Sequence, residues 1–150
     1  MSDVEAFEHE LEQIAKEFAV SFPAVGALGI PAGALDFSKQ SLTHLEAGLL
    51  KVRNMSMPGA RLRDLAIGAG AYLAEVIRRR SPVPLRWVPA SVIPGDADPD
   101  NPFLLATPKN LVVAVLSKPK KLIQNGITDG VVHFADVVND LFSREATSRG

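Results

Sequence analysis

The spacing of the apolar residues changes near residue 80, and this change limits the possible folds more than any other feature of the sequence. Before that point, three segments repeat apolar side chains every three or four positions, which is the period of an amphipathic helix. The three stripes are Val4, Phe7, Leu11, Ile14 and Phe18; Leu42, Leu45, Leu49 and Val52; and Leu62, Leu65, Ala69, Tyr72, Val76 and Ile77. The sequence SPVP at residues 81–84 ends the third pattern, because proline cannot continue a helix.

Short segments with the character of strands follow. LRWV (85–88), FLLAT (103–107) and LVVAVLS (111–117) are rich in branched or aromatic residues, as strands are. The uninterrupted apolar run at residues 111–116 predicts a central strand buried on both faces. KKLIQNG (120–126) is expected to add a further short strand before a turn at Asn125 and Gly126. A final helix is predicted from residue 129 or 130 to about Ser143.

These elements predict an α+β fold with three N-terminal helices, a small antiparallel sheet of three to four strands, and a C-terminal helix packed on one face. With 150 residues, 47% of them hydrophobic, the chain has the size of a single domain. We assign residues 1–35 to an N-terminal helix and an apolar connector, residues 36–142 to the core, and residues 143–150 to a frayed tail. Gly68 and Gly70 each lower the propensity of the third helix by about 1 kcal/mol relative to alanine, so another element is expected to pack closely there.

The apolar connector carries no charge over residues 18–35, which approaches the length that spans a bilayer. Pro23 and Pro31, together with three glycines, would interrupt a helix in lipid, and the acidic segment before them is unlike a secretory signal. We therefore expect no membrane partner. Two interpretations stay open: the connector lies over the core, or it forms an exposed patch that docks a partner or a second copy.

Composition and missing motifs exclude several classes of function. The chain has no cysteine, which excludes disulfides and thiolate sites and agrees with a reducing, cytoplasmic location. A formal net charge of -1 provides no overall attraction to nucleic acid, so no nucleic-acid partner is expected. The sequence contains neither a G-x-S-x-G elbow nor a phosphate loop, and we predict no cofactor and no catalytic residue.

One acidic stretch resembles the beginning of a calcium loop. In PGDADPDNP (94–102), Asp96, Asp98 and Asp100 occupy alternate positions, where such a loop places oxygen ligands. The loop also needs glycine at its sixth position and glutamate at its twelfth, but these positions hold Asn101 and Thr107. A solvated surface loop is therefore favoured over a weak divalent site.

A second acidic pattern lies on the predicted final helix. Asp129, His133, Asp136 and Asp140 are spaced four, three and four, which places them on one helix face, where they could share a metal ion. The solvent-facing side of an amphipathic helix has the same spacing. We therefore predict no metal site, while a metal at either acidic group stays an open alternative.

Basic residues form the densest charge in the sequence. They fall into two groups: Arg78, Arg79, Arg80 and Arg86, and then Lys118, Lys120 and Lys121. Cations stabilise a helix C-terminus, and lysines on an edge strand discourage aggregation, which would explain both groups. If the groups meet near Trp87, they would form a positive rim suited to a carboxylate, a phosphate or an acidic protein.

The sequence LAIGAGAYLAEVIRRR, followed by RWVP, an NPF segment and a final helix, resembles a loose group of small bacterial domains. These domains show an L-G-x-Y-L-x-E helix followed by a strand with tryptophan. The resemblance covers residues 36–142, although the group commonly has glycine where Ala74 stands here. It implies a compact α+β domain with no activity to transfer, and it directs attention to Tyr72, Glu75 and Trp87.

Two functions from different classes fit these observations. The leading hypothesis is a non-enzymatic bacterial protein–protein interaction domain of immunity, accessory or adaptor type, which binds a protein partner or forms a homodimer through residues 18–35 or the first helix. The alternative is a small-molecule or anion-binding domain, which could be an enzyme, with a pocket between the third helix and the sheet. The candidate binding residues are Tyr72, Glu75, Arg79, Arg86, Trp87, Lys118 and Lys120.

Overall fold

The computed structural model of the chain describes residues 3–92 and 101–147. These residues form five α-helices and one sheet, as predicted for an α+β fold. The helices are α1 (Asp3–Ser21), α2 (Ser41–Arg53), α3 (Gly59–Arg80), α4 (Lys118–Asn125) and α5 (Val131–Thr147), and the strands are β1 (Arg86–Pro89), β2 (Phe103–Ala106) and β3 (Val112–Val113). The hydrophobic core takes side chains from all five helices and from the first two strands.

The sheet is antiparallel, with the strand order β1-β2-β3. Trp87 pairs with Leu105, and Leu105 pairs in turn with Val113. The prediction that residues 111–116 form the central strand is wrong, since β2 is central and β3 is a two-residue edge strand. The reason is burial: Leu105 is fully buried, whereas both residues of β3 are only partly covered.

The predicted fourth strand at residues 120–126 is a helix, α4. Pro119 lies in its first turn, where the missing N–H group costs no hydrogen bond. Pro119, Leu122 and Ile123 face the core at helical spacing. The Arg53 guanidinium donates to the carbonyl oxygens of Ile123 (3.0 Å) and Gln124 (2.6 Å) at the end of α4. Packing and this cap stabilise a helix in an eight-residue segment whose own pattern is ambiguous.

The connector between α1 and α2 lies over the core, as the first interpretation expected. Its large side chains Phe22, Leu28, Ile30 and Leu35 are all buried. Close packing of the connector on α2 depends on Gly48, where a Cβ atom would lie 2.7 Å from both the Phe22 ring and Ile30. Within residues 3–92 and 101–147, no helix is both long enough and apolar enough to cross a membrane.

Helix α3 runs through the middle of the molecule and contacts α1, α4 and α5. The predicted close approach at its glycines is confirmed. A Cβ atom on Gly68 would lie 2.6 Å from the Phe18 ring of α1, and one on Gly70 would lie 2.4 Å from the carbonyl oxygen of Leu116, just before α4. The two glycines therefore let α1 and the segment preceding α4 pack closely on α3.

Helix α5 continues to Thr147, past the predicted end near Ser143. Its last turns are held to the sheet, because the Thr107 hydroxyl donates a hydrogen bond to the Glu145 carboxylate. Its first turn is held to α2, where the Glu46 carboxylate accepts a hydrogen bond from the backbone N–H of Val132 (3.3 Å). A carboxylate at this position also stabilises the positive end of the helix dipole.

Candidate functional site

Tyr72 is a core residue. Its side chain is 0% exposed, and its hydroxyl accepts a hydrogen bond from the Phe37 N–H (2.9 Å) and donates one to Ser41 Oγ (2.6 Å). Burial raises the pKa of the Tyr72 hydroxyl above its ordinary value. Nearby, hydrogen bonds from the side chain and N–H of Ser38 lower the pKa of Asp36. This network joins α3 to the segment that leads into α2.

Glu75 and Arg79 lie beside each other on α3. Arg79 Nε donates to Glu75 Oε1 at 3.0 Å, and the Arg79 guanidinium lies 4.1 Å from the centre of the Phe37 ring. The preceding residue, Arg78, pairs with Glu8 of α1 at 2.5 Å. Glu75 and Arg79 line a shallow depression of about 510 Å³ beside residues 81–85, but both side chains are already engaged, Glu75 with arginines of its own helix and Arg79 also with Phe37.

The remaining predicted residues lie against different elements. Arg86 donates to the carbonyl oxygen of Thr107 (2.7 Å) and to Asn110 Oδ1 (2.6 Å), which fixes the β2–β3 turn. Trp87 is 2% exposed and packs edge-to-face on Phe7 of α1. Lys118 Nζ lies 5.3 Å from the centre of the Phe134 ring of α5. Arg86 and Lys118 thus contact separate parts of the fold. Neither Tyr72 nor Trp87 lines the shallow depression or the larger cavity between α1, α3 and α4.

The larger of these cavities is a groove of about 620 Å³ between α1, α3 and α4. Its apolar lining consists of Phe7, Leu11, Ile14, Leu62, Ala66, Ile67, Pro102, Leu116 and Ile123, and its other lining residues are Glu10, Gly59, Arg63, Ser117, Lys120 and Gln124. Helices α1 and α3 each contribute residues at positions i, i+3, i+4 and i+7, so each presents one face to the groove. Of the predicted site residues, only Lys120 lies there.

The rim of this groove combines exposed apolar and charged side chains. Ile67 is 50% exposed and lies beside the other apolar residues of the groove lining. Glu10 and Arg63 are also exposed. Their side chains form no ion pair or hydrogen bond in the described part of the chain. The groove therefore offers an apolar surface on which the charges of Glu10 and Arg63 are available to a partner.

A buried polar contact shapes one end of the groove. Asn101, which is 4% exposed, accepts a hydrogen bond from the Ser117 N–H (3.0 Å) and donates one to Ser117 Oγ (2.9 Å). These bonds hold the start of β2 against the residue before α4. The sequence had drawn attention to Asn101 only as a position in a failed calcium loop, and no motif indicates the Ser117 contact.

Two of the four residues in the acidic pattern at α5 form ion pairs with residues outside the pattern. Asp136 pairs with Lys39 at 3.4 Å and Asp140 with Arg144 at 2.9 Å. His133 is exposed, while Asp129 precedes the helix in a 3-10 turn. Among the residues that the structure describes, no group of three or more histidines and carboxylates could hold a metal ion. Asp96, Asp98 and Asp100 lie outside the described residues.

Comparison with known proteins assigns no family. No protein-family model, curated protein or solved structure matches the chain. We therefore infer function from the groove and its rim.

Proposed function

We propose that this chain is a non-enzymatic protein-interaction domain, of immunity, accessory or adaptor type, that receives the apolar face of a partner's helix in the groove between α1, α3 and α4. The observation that carries this proposal is the open, mostly apolar groove of about 620 Å³, bounded by helix faces. In a helical bundle, such faces are covered by another helix. A helix from a partner would supply that cover.

The geometry of the groove suits side chains spaced along one helix face. A partner helix would insert residues at positions i, i+3, i+4 and i+7, as in other helix-in-groove complexes. Burial of apolar area contributes about 25 cal/mol per Å², and part of this gain offsets the entropy lost on association. Ile67, half exposed on the rim, would lose its remaining contact with water.

The contacts of the titratable residues favour binding over catalysis. Tyr72 is buried and fully hydrogen-bonded, and Glu75 pairs with Arg79. These are the residues that a catalytic pocket between α3 and the sheet would use. Tyr72 and Arg79 instead contact the segment that leads into α2, and Glu75 pairs within α3, which supports a structural role for them.

A small-molecule ligand is the alternative, and one observation favours it. Pockets for small molecules usually measure about 300 to 1,000 Å³ and are lined by apolar residues with a few polar groups; the groove has both properties. Such a ligand would lie between α1, α3 and α4 rather than between α3 and the sheet, where the sequence placed it.

We also propose a cytoplasmic location for the chain and, for self-association, contact through α1. The large side chains of the connector offer little surface to a second copy, because Phe22, Leu28 and Leu35 are buried in the hydrophobic core. Val20 of α1, which is 76% exposed, is the large apolar side chain most available for a homodimer there. The absence of cysteine supports the cytoplasm as the proposed location.

Site-specific cross-linking followed by binding with purified components tests the leading proposal. A photo-cross-linking residue replaces Ile67 on the groove, and in a matched variant it replaces Val137 on α5, which is 44% exposed. The partner cross-linked through position 67 is then purified, and its Kd is measured for the wild type, Ile67→Glu and Val137→Glu. We expect Ile67→Glu to weaken binding about tenfold or more, because it places a charge in an apolar interface.

Val137→Glu should leave the Kd unchanged, and both variants should keep wild-type stability to within about 0.5 kcal/mol, since both positions are exposed. Equal effects of the two substitutions on the Kd would contradict binding in the groove. Native mass spectrometry of the purified chain separates the alternative function. A small apolar molecule that remains bound to the wild type but is lost from Ile67→Glu would favour a ligand-binding domain.

A further inference from the structure

We infer that the groove selects an amphipathic helix whose apolar stripe has basic residues on the flank facing α1 and acidic residues on the opposite flank, facing α3 and α4. This inference rests on the proposed function and adds the charge pattern of the partner. It follows from the distribution of rim charges among the three helices.

The side of the groove formed by α1 is acidic. Glu10 lines the groove between Phe7 and Leu11, and its exposed carboxylate has no ion-pair or hydrogen-bond partner in the described part of the chain. By contrast, Glu8 and Glu12, which face the other side of α1, lie 2.5 and 3.9 Å from Arg78. Glu10 is therefore available to an incoming cation.

The side formed by α3 and α4 is basic. Arg63 lines the groove next to Leu62, and Lys120 lines it on α4. The exposed guanidinium of Arg63 forms no ion pair or hydrogen bond with a described residue. An incoming carboxylate can therefore accept two hydrogen bonds from the flat edge of this guanidinium.

Charges beside an apolar seam determine which helices pair and in which direction. In coiled coils, residues flanking the apolar positions perform this role, and complementary charges exclude partners with like charges. Turning a bound helix end for end exchanges its two flanks. A helix with one basic and one acidic flank would thus match Glu10 and Arg63 in only one direction.

Four designed peptides of about 14 residues, stapled to keep them helical, test this inference. All carry the same leucine stripe at positions i, i+3, i+4 and i+7. Their flanks differ: glutamine on both, lysine on one and glutamate on the other, glutamate on both, or lysine on both. Fluorescence anisotropy gives the Kd of each peptide for the intact chain.

We expect the mixed peptide to bind about threefold or more tightly than the glutamine peptide at low salt, because it forms two ion pairs at the rim. It should also bind more tightly than either peptide with flanks of one charge. The differences should disappear in about 1 M NaCl, where charges at the surface are screened, while binding of the glutamine peptide persists.

Charge reversal supplies a matched control. Glu10→Lys makes both sides of the groove basic, so the glutamate peptide should become the tightest binder. Arg63→Gln should reduce the advantage of the mixed peptide over the glutamine peptide. Glu17→Lys and Arg61→Glu change exposed residues of α1 and α3 outside the groove lining, and they should keep the wild-type order of the peptides.

The outcomes separate this inference from the proposed function. Equal affinity of the mixed and glutamine peptides for the wild type, or an order that Glu10→Lys leaves unchanged, would overturn the charge pattern while the groove remains a helix-binding site. If no peptide bound below about 1 mM, including the one with glutamine flanks, both the charge pattern and helix binding would be overturned.

Discussion

Phe37 has a backbone φ of 65°, a left-handed conformation that bulky residues rarely adopt. Three contacts hold it there. Its N–H donates to the Tyr72 hydroxyl, its ring lies 4.8 Å from the Tyr72 ring, and the Arg79 guanidinium covers it. At this scale, the residues that the sequence identified as a possible site support a strained turn instead.

Tyr72→Phe tests this account of the turn. Loss of the hydroxyl leaves the Phe37 N–H without its acceptor and removes one of the two hydrogen bonds of Ser41 Oγ, which still donates to the Ser38 carbonyl oxygen. The free energy of unfolding should therefore fall by about 1 to 3 kcal/mol. Urea unfolding measures the change. Ser41→Ala and the double variant complete the comparison: the two losses should be smaller together than their sum, because both substitutions remove the same hydrogen bond. Strictly additive losses would contradict the network.

At the scale of elements, the close approach of Leu116 to α3 depends on Gly70, which has no side chain. Gly70→Ala would place a Cβ atom 2.4 Å from the Leu116 carbonyl oxygen, so the backbone before α4 must shift. We expect the free energy of unfolding to fall by about 1 to 3 kcal/mol, as measured in urea.

Gly59→Ala is the matched control on the same helix, since a Cβ atom there meets nothing within 4 Å. It should leave stability unchanged or raise it slightly, because alanine favours the helix. A loss at Gly70→Ala no larger than the change at Gly59→Ala would contradict the close contact with Leu116, because the higher helix propensity of alanine favours the folded state at both positions.

The helices that the sequence predicted correctly are those with a long and regular pattern. The stripes of α1 and α3 extend over several turns, so their period distinguishes a helix from a strand. The segment of α4 has only eight residues, too few for the period to decide. Its helix depends on Arg53, a residue about 70 positions away in the sequence, and no local rule identifies that contact.

At the scale of the whole molecule, the groove could not be predicted because its lining comes from segments far apart in the sequence. The stripe of Phe7, Leu11 and Ile14 predicted a helix correctly, yet the same pattern describes a face covered by the core and a face left open. Whether another element of the chain covers this face of α1 depends on how α1, α3 and α4 pack together. Exposure of Ile67, visible only in the structure, distinguishes the two cases.

The central claim is that a partner's helix binds between α1, α3 and α4. Methyl NMR of the isotope-labelled chain, titrated with the glutamine-flanked leucine peptide, tests it most directly. We predict chemical-shift changes concentrated at Leu11, Ile14, Ile67 and Ile123, which line the groove, with Ile127 and Val137 unchanged. Changes centred on the exposed Ile127 and Val137, or no change anywhere at saturating peptide, would contradict the claim.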